Sequence, residues 1–234
     1  MPDKETSPSQ TTLQIWQSAN AVCIDVDSTL CIDESIDVFA EWLGVGQAVA
    51  ELTANAMQGG VKFEEALAAR LDLMHPSKQK VQDFVASHPP QYSPGIPELV
   101  KALHQRGTAV FLVSGGFHAI IDPIAQHLGI PADHVFANTI LFKDDEAGSY
   151  AGFDRDEFTS RSGGKLSAVK HIKAEYGHKV VVAMGDGATD LEARQPGGAD
   201  IFIGYGGSVY RPTVAAGADW FVMSIQPLLD ALIS

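Results

Sequence analysis

The chain has 234 residues, of which 45% are hydrophobic, so it can bury a sizeable core in one large domain or in a core with an inserted subdomain. Its formal net charge is -13 at pH 7, and its sequence pI is about 4.9. This acidity argues against non-specific binding to nucleic acid or to an anionic membrane, and it means that an anionic substrate must be captured by local positive charge.

The cysteines and the first residues bear on the compartment. Cys23 and Cys31 are the only two cysteines, too few for a disulfide framework or a Cys-based metal site, which favours a reducing compartment. Residues 1–10 lack the apolar run of a signal peptide and the Arg-rich character of a transit peptide. The sequence has no uncharged apolar run of about 18 residues, the length of a membrane span. We expect a cytoplasmic protein, or an organellar one if a targeting segment has been removed.

A buried strand is predicted near the start of the chain. Residues 21–24 are all apolar, as in a strand covered on both faces by helices, and an N-terminal tail and leading helix occupy residues 1–17. Asp25 and Asp27 follow at the position where ligands bind in open α/β sheets. Taken alone, this pair also fits a polar turn, so the rest of the chain must decide.

Four amphipathic helical patterns fill residues 34–88, with no convincing strand among them. We predict that this segment is a helical subdomain inserted after the first strand. The α/β core would then comprise residues 18–33 and 89–234.

From Gly95 onward, helical and strand patterns alternate. Helices are predicted at 96–106, 117–128 and 165–176, strands at 108–113, 180–184, 199–203 and 220–223, and a closing helix at the C-terminus. Residues 135–142 and 149–153 predict a β-hairpin or two neighbouring strands. Alternation of this kind with short Gly-rich turns is typical of a doubly wound, Rossmann-like sheet.

Reactive side chains follow three predicted strands, and a lysine opens one helix. They are Asp25, Asp27, Ser114, Lys165, Asp186 and Asp190. Each one alone also fits a turn or a solvated surface, but in a doubly wound sheet all can meet at one crevice. Carboxylates without nitrogen or sulfur ligands suit Mg²⁺, and hydroxyl and ammonium groups suit phosphate oxygens. An Asp carboxylate can also act as a nucleophile that forms a covalent intermediate.

These motifs resemble, in order, the four signature motifs of the haloacid dehalogenase-like (HAD) superfamily. They are Asp25-Val26-Asp27-Ser28-Thr29, Ser114-Gly115-Gly116, Lys165 and Gly185-Asp186-Gly187-Ala188-Thr189-Asp190. From about residue 18 to the C-terminus the chain is similar to the phosphoserine phosphatases of that superfamily. The resemblance implies a HAD core with a small helical cap, residues 34–88. It also implies hydrolysis of O-phospho-L-serine to L-serine and phosphate, the last step of serine biosynthesis.

The resemblance also implies catalytic roles. Asp25 would attack phosphorus and become an aspartyl phosphate, and Asp27 would protonate the leaving oxygen and then activate water. Ser114 and Lys165 would hold the phosphoryl oxygens. The cofactor would be Mg²⁺, and the residues implied to hold it are Asp25, the main-chain carbonyl of Asp27, Asp186 and, in support, Asp190.

A further set of residues is implied to bind the substrate: Glu34, Met57, Arg70, Ser114, Gly115, Asn138, Lys165, Thr189 and Arg211. Within this set, Glu34 would meet the substrate ammonium and Arg70 its carboxylate. Without the resemblance, both would be read as a solvated helix face. One departure is visible, because Gln58 separates Met57 from the two glycines that follow it directly in the family, which puts the cap loop in doubt.

Two alternative functions stay open at this point. One is a HAD phosphatase that acts on another small phosphorylated metabolite, which would leave Glu34 and Arg70 unpaired. The other is a non-catalytic binding protein on the same fold, which the complete set of reactive residues disfavours. The expected partner is a small-molecule substrate, with no nucleic acid and no membrane, and a homodimer is left open.

Overall fold

The computed structural model describes residues 5–57 and 61–233, except for the side chains of residues 55–57. The expectations for the Met57 side chain and for Gln58 therefore lie outside the described residues. Within the described part of the chain, no helix is long and apolar enough to cross a bilayer.

In the described residues, eight strands form one large parallel sheet and one small hairpin. The strands are β1 (Ala21–Ile24), β2 (Ala109–Phe117), β3 (Val135–Asn138), β4 (Ile140–Phe142), β5 (Tyr150–Phe153), β6 (Val181–Gly185), β7 (Ile201–Tyr205) and β8 (Trp220–Val222). The large sheet has the order β3-β2-β1-β6-β7-β8, and all of its strand pairs are parallel. The chain thus builds outward from β1 on one side and from β6 on the other, so the topological switch point lies between β1 and β6. The predicted doubly wound α/β fold is confirmed.

Eleven helices are present in the described part of the chain. They are α1 (Gln10–Gln17), α2 (Ser35–Trp42), α3 (Gly46–Met57), α4 (Phe63–Met74), α5 (Lys78–Ser87), α6 (Ile96–Gln105), α7 (His118–His127), α8 (Gly164–Glu175), α9 (Ala188–Glu192), α10 (Pro212–Gly217) and α11 (Gln226–Ile233). The leading helix begins at a serine cap, since the Ser9 side chain accepts a hydrogen bond from the Thr12 N–H. Four helices, α2 to α5, occupy the segment predicted as the cap, which carries no strand in its described residues.

The sheet is buried on both faces, as its apolar strands predict. Alternate residues of β1 point to opposite faces, so Val22 and Ile24 belong to one apolar cluster and Ala21 and Cys23 to another. The first cluster includes side chains from α1, α6, α7 and α11, and the second includes side chains from α8. Burial raises the pKa of Cys23 to about 12, which fits an inert core residue.

A third apolar cluster joins the four cap helices to the β4–β5 hairpin. Its buried members include Phe39, Leu71 and Phe84 from the helices and Ile140 and Phe153 from the hairpin. The hairpin therefore packs with helices that precede it in the chain by more than 50 residues.

Two sequence expectations need correction. The strand predicted to stop at residue 113 continues through Ser114, Gly115 and Gly116 to Phe117, because a register shift between Val113 and Phe117 lets β2 stay paired with β3. The segment 135–142 is two strands, since β3 joins the large sheet while β4 pairs antiparallel with β5. Both parts have the same alternating apolar pattern, which does not reveal the change of partner.

Trp16 anchors α1 to α11 and provides a test of the core. Its side chain is 1% exposed, and its Nε1 donates a hydrogen bond to the Leu228 carbonyl at 3.1 Å. Trp16→Ala should lower the free energy of unfolding by about 3–5 kcal/mol, because it leaves a cavity and an unpaired carbonyl. Ile233→Ala, at an 85% exposed position, should change it by about 0.5 kcal/mol or less. Urea unfolding measures both, and equal losses would contradict this assignment.

Candidate active site

A cavity of about 590 Å³ opens at the carboxyl ends of β1 and β6, the switch point of the sheet. Many of the residues predicted from the sequence line it: Asp25, Asp27, Glu34, Arg70, Gly115, Lys165, Asp186, Thr189, Asp190 and Arg211. Ser114 and Asn138 are fully buried and do not line it. The cavity thus brings together residues from β1, the cap helices, α8, β6 and the loop before α10.

Asp25 lies directly after β1, and contacts from β6 and from α8 hold it in place. Its backbone N–H donates to the Met184 carbonyl of β6 at 2.9 Å. Its Oδ1 accepts a hydrogen bond from the Val26 N–H at 2.8 Å and forms an ion pair with Lys165 Nζ at 2.8 Å. Its Oδ2 accepts no hydrogen bond from the described residues, so this oxygen is free to react.

The turn formed by residues 26–30 orients the Asp27 side chain toward the start of α2. Ser28, at φ 53°, adopts a left-handed backbone conformation within this turn. Asp27 Oδ1 then accepts a hydrogen bond from the Ser35 N–H, at the first residue of α2, at 2.7 Å. Burial raises the pKa of Asp27, and the Ser35 N–H opposes this rise. A raised pKa suits a carboxyl group that must donate a proton.

Two further carboxylates come from the β6–α9 connection. Asp190 Oδ1 contacts Lys165 Nζ at 2.6 Å, while its Oδ2 accepts a hydrogen bond from the Gly187 N–H at 3.0 Å. Asp186 accepts from Thr29 Oγ1 at 3.3 Å and from Arg211 Nε at 2.9 Å. Asp190 can pack this closely because the residue at 185 is glycine: a Cβ there would overlap the Asp190 carboxyl carbon.

Lys165 lies between two buried carboxylates of the site. Burial alone would lower the pKa of its ammonium group, but Asp190 and Asp25 together raise it above its ordinary value. Conversely, burial raises the pKa of Asp25, the charge of Asp190 adds to this rise, and Lys165 opposes it. The lysine is therefore charged at neutral pH and offsets part of the acidic charge around it.

The donor set fits a hard divalent cation. Carboxylate oxygens of Asp25, Asp186 and Asp190 lie within 4.8 Å of one another, and all three residues are buried. Among the described residues, six carboxylates and three cationic side chains line the cavity. This excess of negative charge would repel a phosphate group unless a cation joined it, and oxygen-only ligands are those that Mg²⁺ prefers.

The strand β2 supplies the opposite wall. Ser114 Oγ accepts a hydrogen bond from the Gly116 N–H at 2.9 Å, and Asn138 Nδ2 donates to the Gly115 carbonyl at 2.8 Å. The other end of the Asn138 amide accepts from Thr159 Oγ1 at 3.1 Å. Asn138 therefore fixes the Gly115 backbone from behind the wall.

The segment 34–88 contributes further charged groups to the cavity. Glu34 Oε1 accepts a hydrogen bond from Ser28 Oγ at 2.8 Å and lies 3.8 Å from an Arg211 nitrogen. Arg70 donates from Nε to the Ala66 carbonyl at 3.2 Å, one helical turn earlier. No described carboxylate lies within ion-pair distance of Arg70, so its terminal nitrogens remain available to a ligand.

Several residues that shape the site were not predicted as site residues. Thr29 contacts Asp186, and Ser35 holds Asp27 through its backbone. Phe63 lines the cavity, and its ring end lies 3.2 Å from where a Cβ of Gly115 would be. The sequence showed Phe63 only as part of an apolar helix face, and a backbone donor such as that of Ser35 leaves no side-chain signal.

Comparisons with known proteins agree with this geometry. The family model described as haloacid dehalogenase-like hydrolase matches residues 22–194. The chloroplastic phosphoserine phosphatase of Arabidopsis thaliana is 53% identical over 225 residues, which cover 96% of this chain and 76% of that protein.

Solved structures give the same result for the fold. The structure of DsGPDH of Dunaliella salina has a TM-score of 0.86 and 38% identity; the match covers 97% of this chain and 38% of that longer one. A phospho-aspartyl intermediate analogue of phosphoserine phosphatase has a TM-score of 0.76 and 28% identity, over 91% of this chain and 98% of that one. The chain belongs to the haloacid dehalogenase-like hydrolases and, within them, to the phosphoserine phosphatase family.

Proposed function

We propose that the protein hydrolyses O-phospho-L-serine to L-serine and inorganic phosphate through an aspartyl phosphate on Asp25. The observation that carries this proposal is one cavity that is lined by the carboxylate of Asp25 together with Glu34 and Arg70. An amino-acid head group has one ammonium and one carboxylate, so it satisfies both charged side chains. A phosphomonoester without that head group would leave Arg70 without a carboxylate partner and Glu34 with only Ser28 and Arg211, which is less favourable inside a cavity.

In this reaction, Asp25 is the nucleophile. The Val26 N–H and Lys165 hold Oδ1, which leaves Oδ2 to attack phosphorus. The ammonium of Lys165 stabilises charge on the phosphoryl oxygens as it moves in the transition state. The Ser114 hydroxyl is buried and accepts from the Gly116 N–H, so it would have to turn into the cavity to bind a phosphoryl oxygen. Asn138 keeps Gly115 in place, so that the backbone at the phosphoryl end of the cavity is already ordered before the substrate arrives.

Asp27 transfers the protons. In the first half-reaction its protonated carboxyl donates to the leaving seryl oxygen, and in the second its carboxylate takes a proton from the water that attacks the aspartyl phosphate. The Ser35 N–H fixes the orientation of this group at 2.7 Å. Gly116 leaves room for it, since a Cβ there would lie 3.2 Å from Asp27 Oδ2.

We further propose Mg²⁺ as the cofactor. Asp25, the main-chain carbonyl of Asp27 and Asp186 would hold it, with Asp190 in support through its bonds to Lys165 and Gly187. When bound, the ion screens the repulsion between carboxylates and phosphate and polarises the phosphoryl group.

Compartment and assembly stay predictions. The cytoplasm is the expected location, with an organelle as the alternative if a targeting segment has been removed. A homodimer is tested by light scattering of the purified protein.

The first prediction concerns the substrate. Phosphate release from a panel of phosphorylated metabolites should be fastest with O-phospho-L-serine, because its head group matches Glu34 and Arg70 in one enantiomeric arrangement. Both enantiomers of phosphoserine belong in the panel as matched controls. If another phosphomonoester were preferred by a wide margin, the alternative HAD phosphatase would be the correct assignment.

Metal removal gives the second prediction. A chelator should abolish phosphate release, and Mg²⁺ should restore it, because the carboxylate-rich cavity needs a divalent cation to accept an anion. Ca²⁺ should restore little, since it tolerates looser and higher coordination. Phosphate release after dialysis and metal add-back checks this, and full activity in excess chelator would rule out the metal.

The third prediction separates head-group recognition from chemistry. Arg70→Ala should lower kcat/KM for phosphoserine by the equivalent of about 2–4 kcal/mol, the cost of leaving the substrate carboxylate unpaired. Phosphoethanolamine lacks that carboxylate, so its kcat/KM should hardly change in the same variant. Arg70→Lys keeps the charge but not the planar fork and should fall between wild type and Arg70→Ala. Equal losses on both substrates would show that Arg70 does not bind the carboxylate.

The fourth prediction separates the two Asp roles. Asp25→Asn should abolish turnover, because an amide cannot serve as the nucleophile. Asp27→Asn should lower turnover by about 10²–10⁴-fold and, with an aryl phosphate whose leaving group needs no acid, should accumulate the covalent intermediate. Mass spectrometry of acid-quenched protein should then find a phosphoryl group on Asp25. An adduct on any other residue would refute Asp25 as the nucleophile.

A further inference from the structure

A second set of contacts joins the cap to the core, away from the carboxylates. Glu64 lies in the first turn of α4, and its Oε2 accepts hydrogen bonds from the Ser162 backbone N–H at 3.1 Å and from the Ser162 hydroxyl at 3.2 Å. In return, the Phe63 N–H donates to Ser162 Oγ at 3.4 Å. Hydrogen bonds from the Glu64 backbone N–H and, next, from Ser162 lower the pKa of the Glu64 carboxyl, so it is charged at neutral pH.

These bonds join two segments that each carry a charged side chain of the cavity. The cap helix α4 begins next to Glu64 and carries Arg70 less than two turns further on. Ser162 lies two residues before α8, which carries Lys165. Phe63, the residue before Glu64, lies against Gly115 in the cavity wall. The contact therefore links the segment that carries Arg70 to the segment that carries Lys165.

We propose that Glu64 is a positioning residue that clamps the cap onto Ser162, so that Arg70 and Lys165 engage the same substrate molecule. The proposal rests on the proposed phosphoserine hydrolysis. Glu64 does not line the cavity and contacts no reacting atom. It acts through the spacing of α4 and α8, and it favours the closed arrangement in which the substrate is covered.

The small free energy of the Glu64–Ser162 hydrogen bonds fits a contact that opens and closes better than one that holds the fold together. Each hydrogen bond at a partly exposed site shifts an equilibrium by only a few-fold, because water competes for the same groups. Two such bonds to one charged carboxylate are enough to shift a cap equilibrium by about tenfold and too few to decide whether the core folds. The cap can therefore reopen to release products.

Glu65 is a matched control for this clamp. It has the same charge, lies in the same first turn of α4 and is exposed to solvent. Its side chain forms no hydrogen bond to Ser162 in the described part of the chain. Any effect of negative charge on the helix dipole is shared by the two residues, so a difference between their variants reports the contact itself.

The test compares Glu64→Ala, Glu64→Gln and Glu65→Ala with the wild type. Glu64→Ala should raise KM for phosphoserine and lower kcat/KM by about tenfold with little change in kcat, since the groups that perform the chemistry are untouched. Glu64→Gln keeps a carbonyl oxygen for Ser162 and should recover most of this loss. Glu65→Ala should match the wild type. Equal effects of the two alanine variants would overturn the proposal.

Hydrogen exchange provides a readout that does not depend on turnover. The amide of Ser162 should exchange about tenfold faster in Glu64→Ala than in the wild type, because it loses its acceptor, and should not change in Glu65→Ala. Unchanged exchange in Glu64→Ala would refute the clamp even if activity fell. If the wild type released no phosphate from phosphoserine, the proposed function would fail, while exchange would still decide whether the clamp exists.

Discussion

The site depends on one buried cation held between carboxylates that arrive from two different strands. Lys165 contacts Asp25, which follows β1, and Asp190, which follows β6 by way of α9. Buried charges cost several kcal/mol each to desolvate, so this arrangement is stable only because every group has a partner at close range. The parallel sheet makes that possible by placing the carboxyl ends of β1 and β6 side by side at its switch point. The carboxylates that line the cavity still outnumber the cations, so the proposed Mg²⁺ would reduce the repulsion of a phosphate group.

The cap adds selectivity to this reactive centre, and small residues make the approach possible. Phe63 reaches the phosphoryl wall because Gly115 has no side chain there, and Asp27 fits beside Gly116 for the same reason. The apolar cluster that joins α2–α5 to the β4–β5 hairpin also includes the buried Phe117 of β2, so this segment packs against the sheet as well as within itself. Side chains of α2, α3 and α4 line the cavity, and a wall of this kind helps a reaction that must exclude water.

Groups at strand ends could be predicted from the sequence, whereas contacts between distant segments could not. Asp25, Asp186 and Asp190 were expected to meet because carboxyl ends of parallel strands share one edge of the sheet, and the cavity holds all three. The contact between Glu64 and Ser162 was not foreseen, since 98 residues separate them and both look like ordinary solvated positions. The split between β3 and β4 was missed because a period of two residues is the same whichever strand is the partner.

Two groups of side chains in the cavity would contribute to catalysis in different ways. In the proposed reaction, Glu34 and Arg70 bind an amino-acid head group that is identical in phosphoserine and in serine, so their interactions stabilise substrate, transition state and product alike. Such uniform binding selects the substrate but does not by itself accelerate the chemical step. In the proposed reaction, acceleration must come from Lys165, which lines the cavity beside Asp25 and meets charge that changes during phosphoryl transfer. A tighter head-group site would therefore retain serine and slow its release. Glu34 is partly exposed, accepts a hydrogen bond from Ser28 and lies close to Arg211. These contacts limit how tightly it would hold the ammonium group of serine.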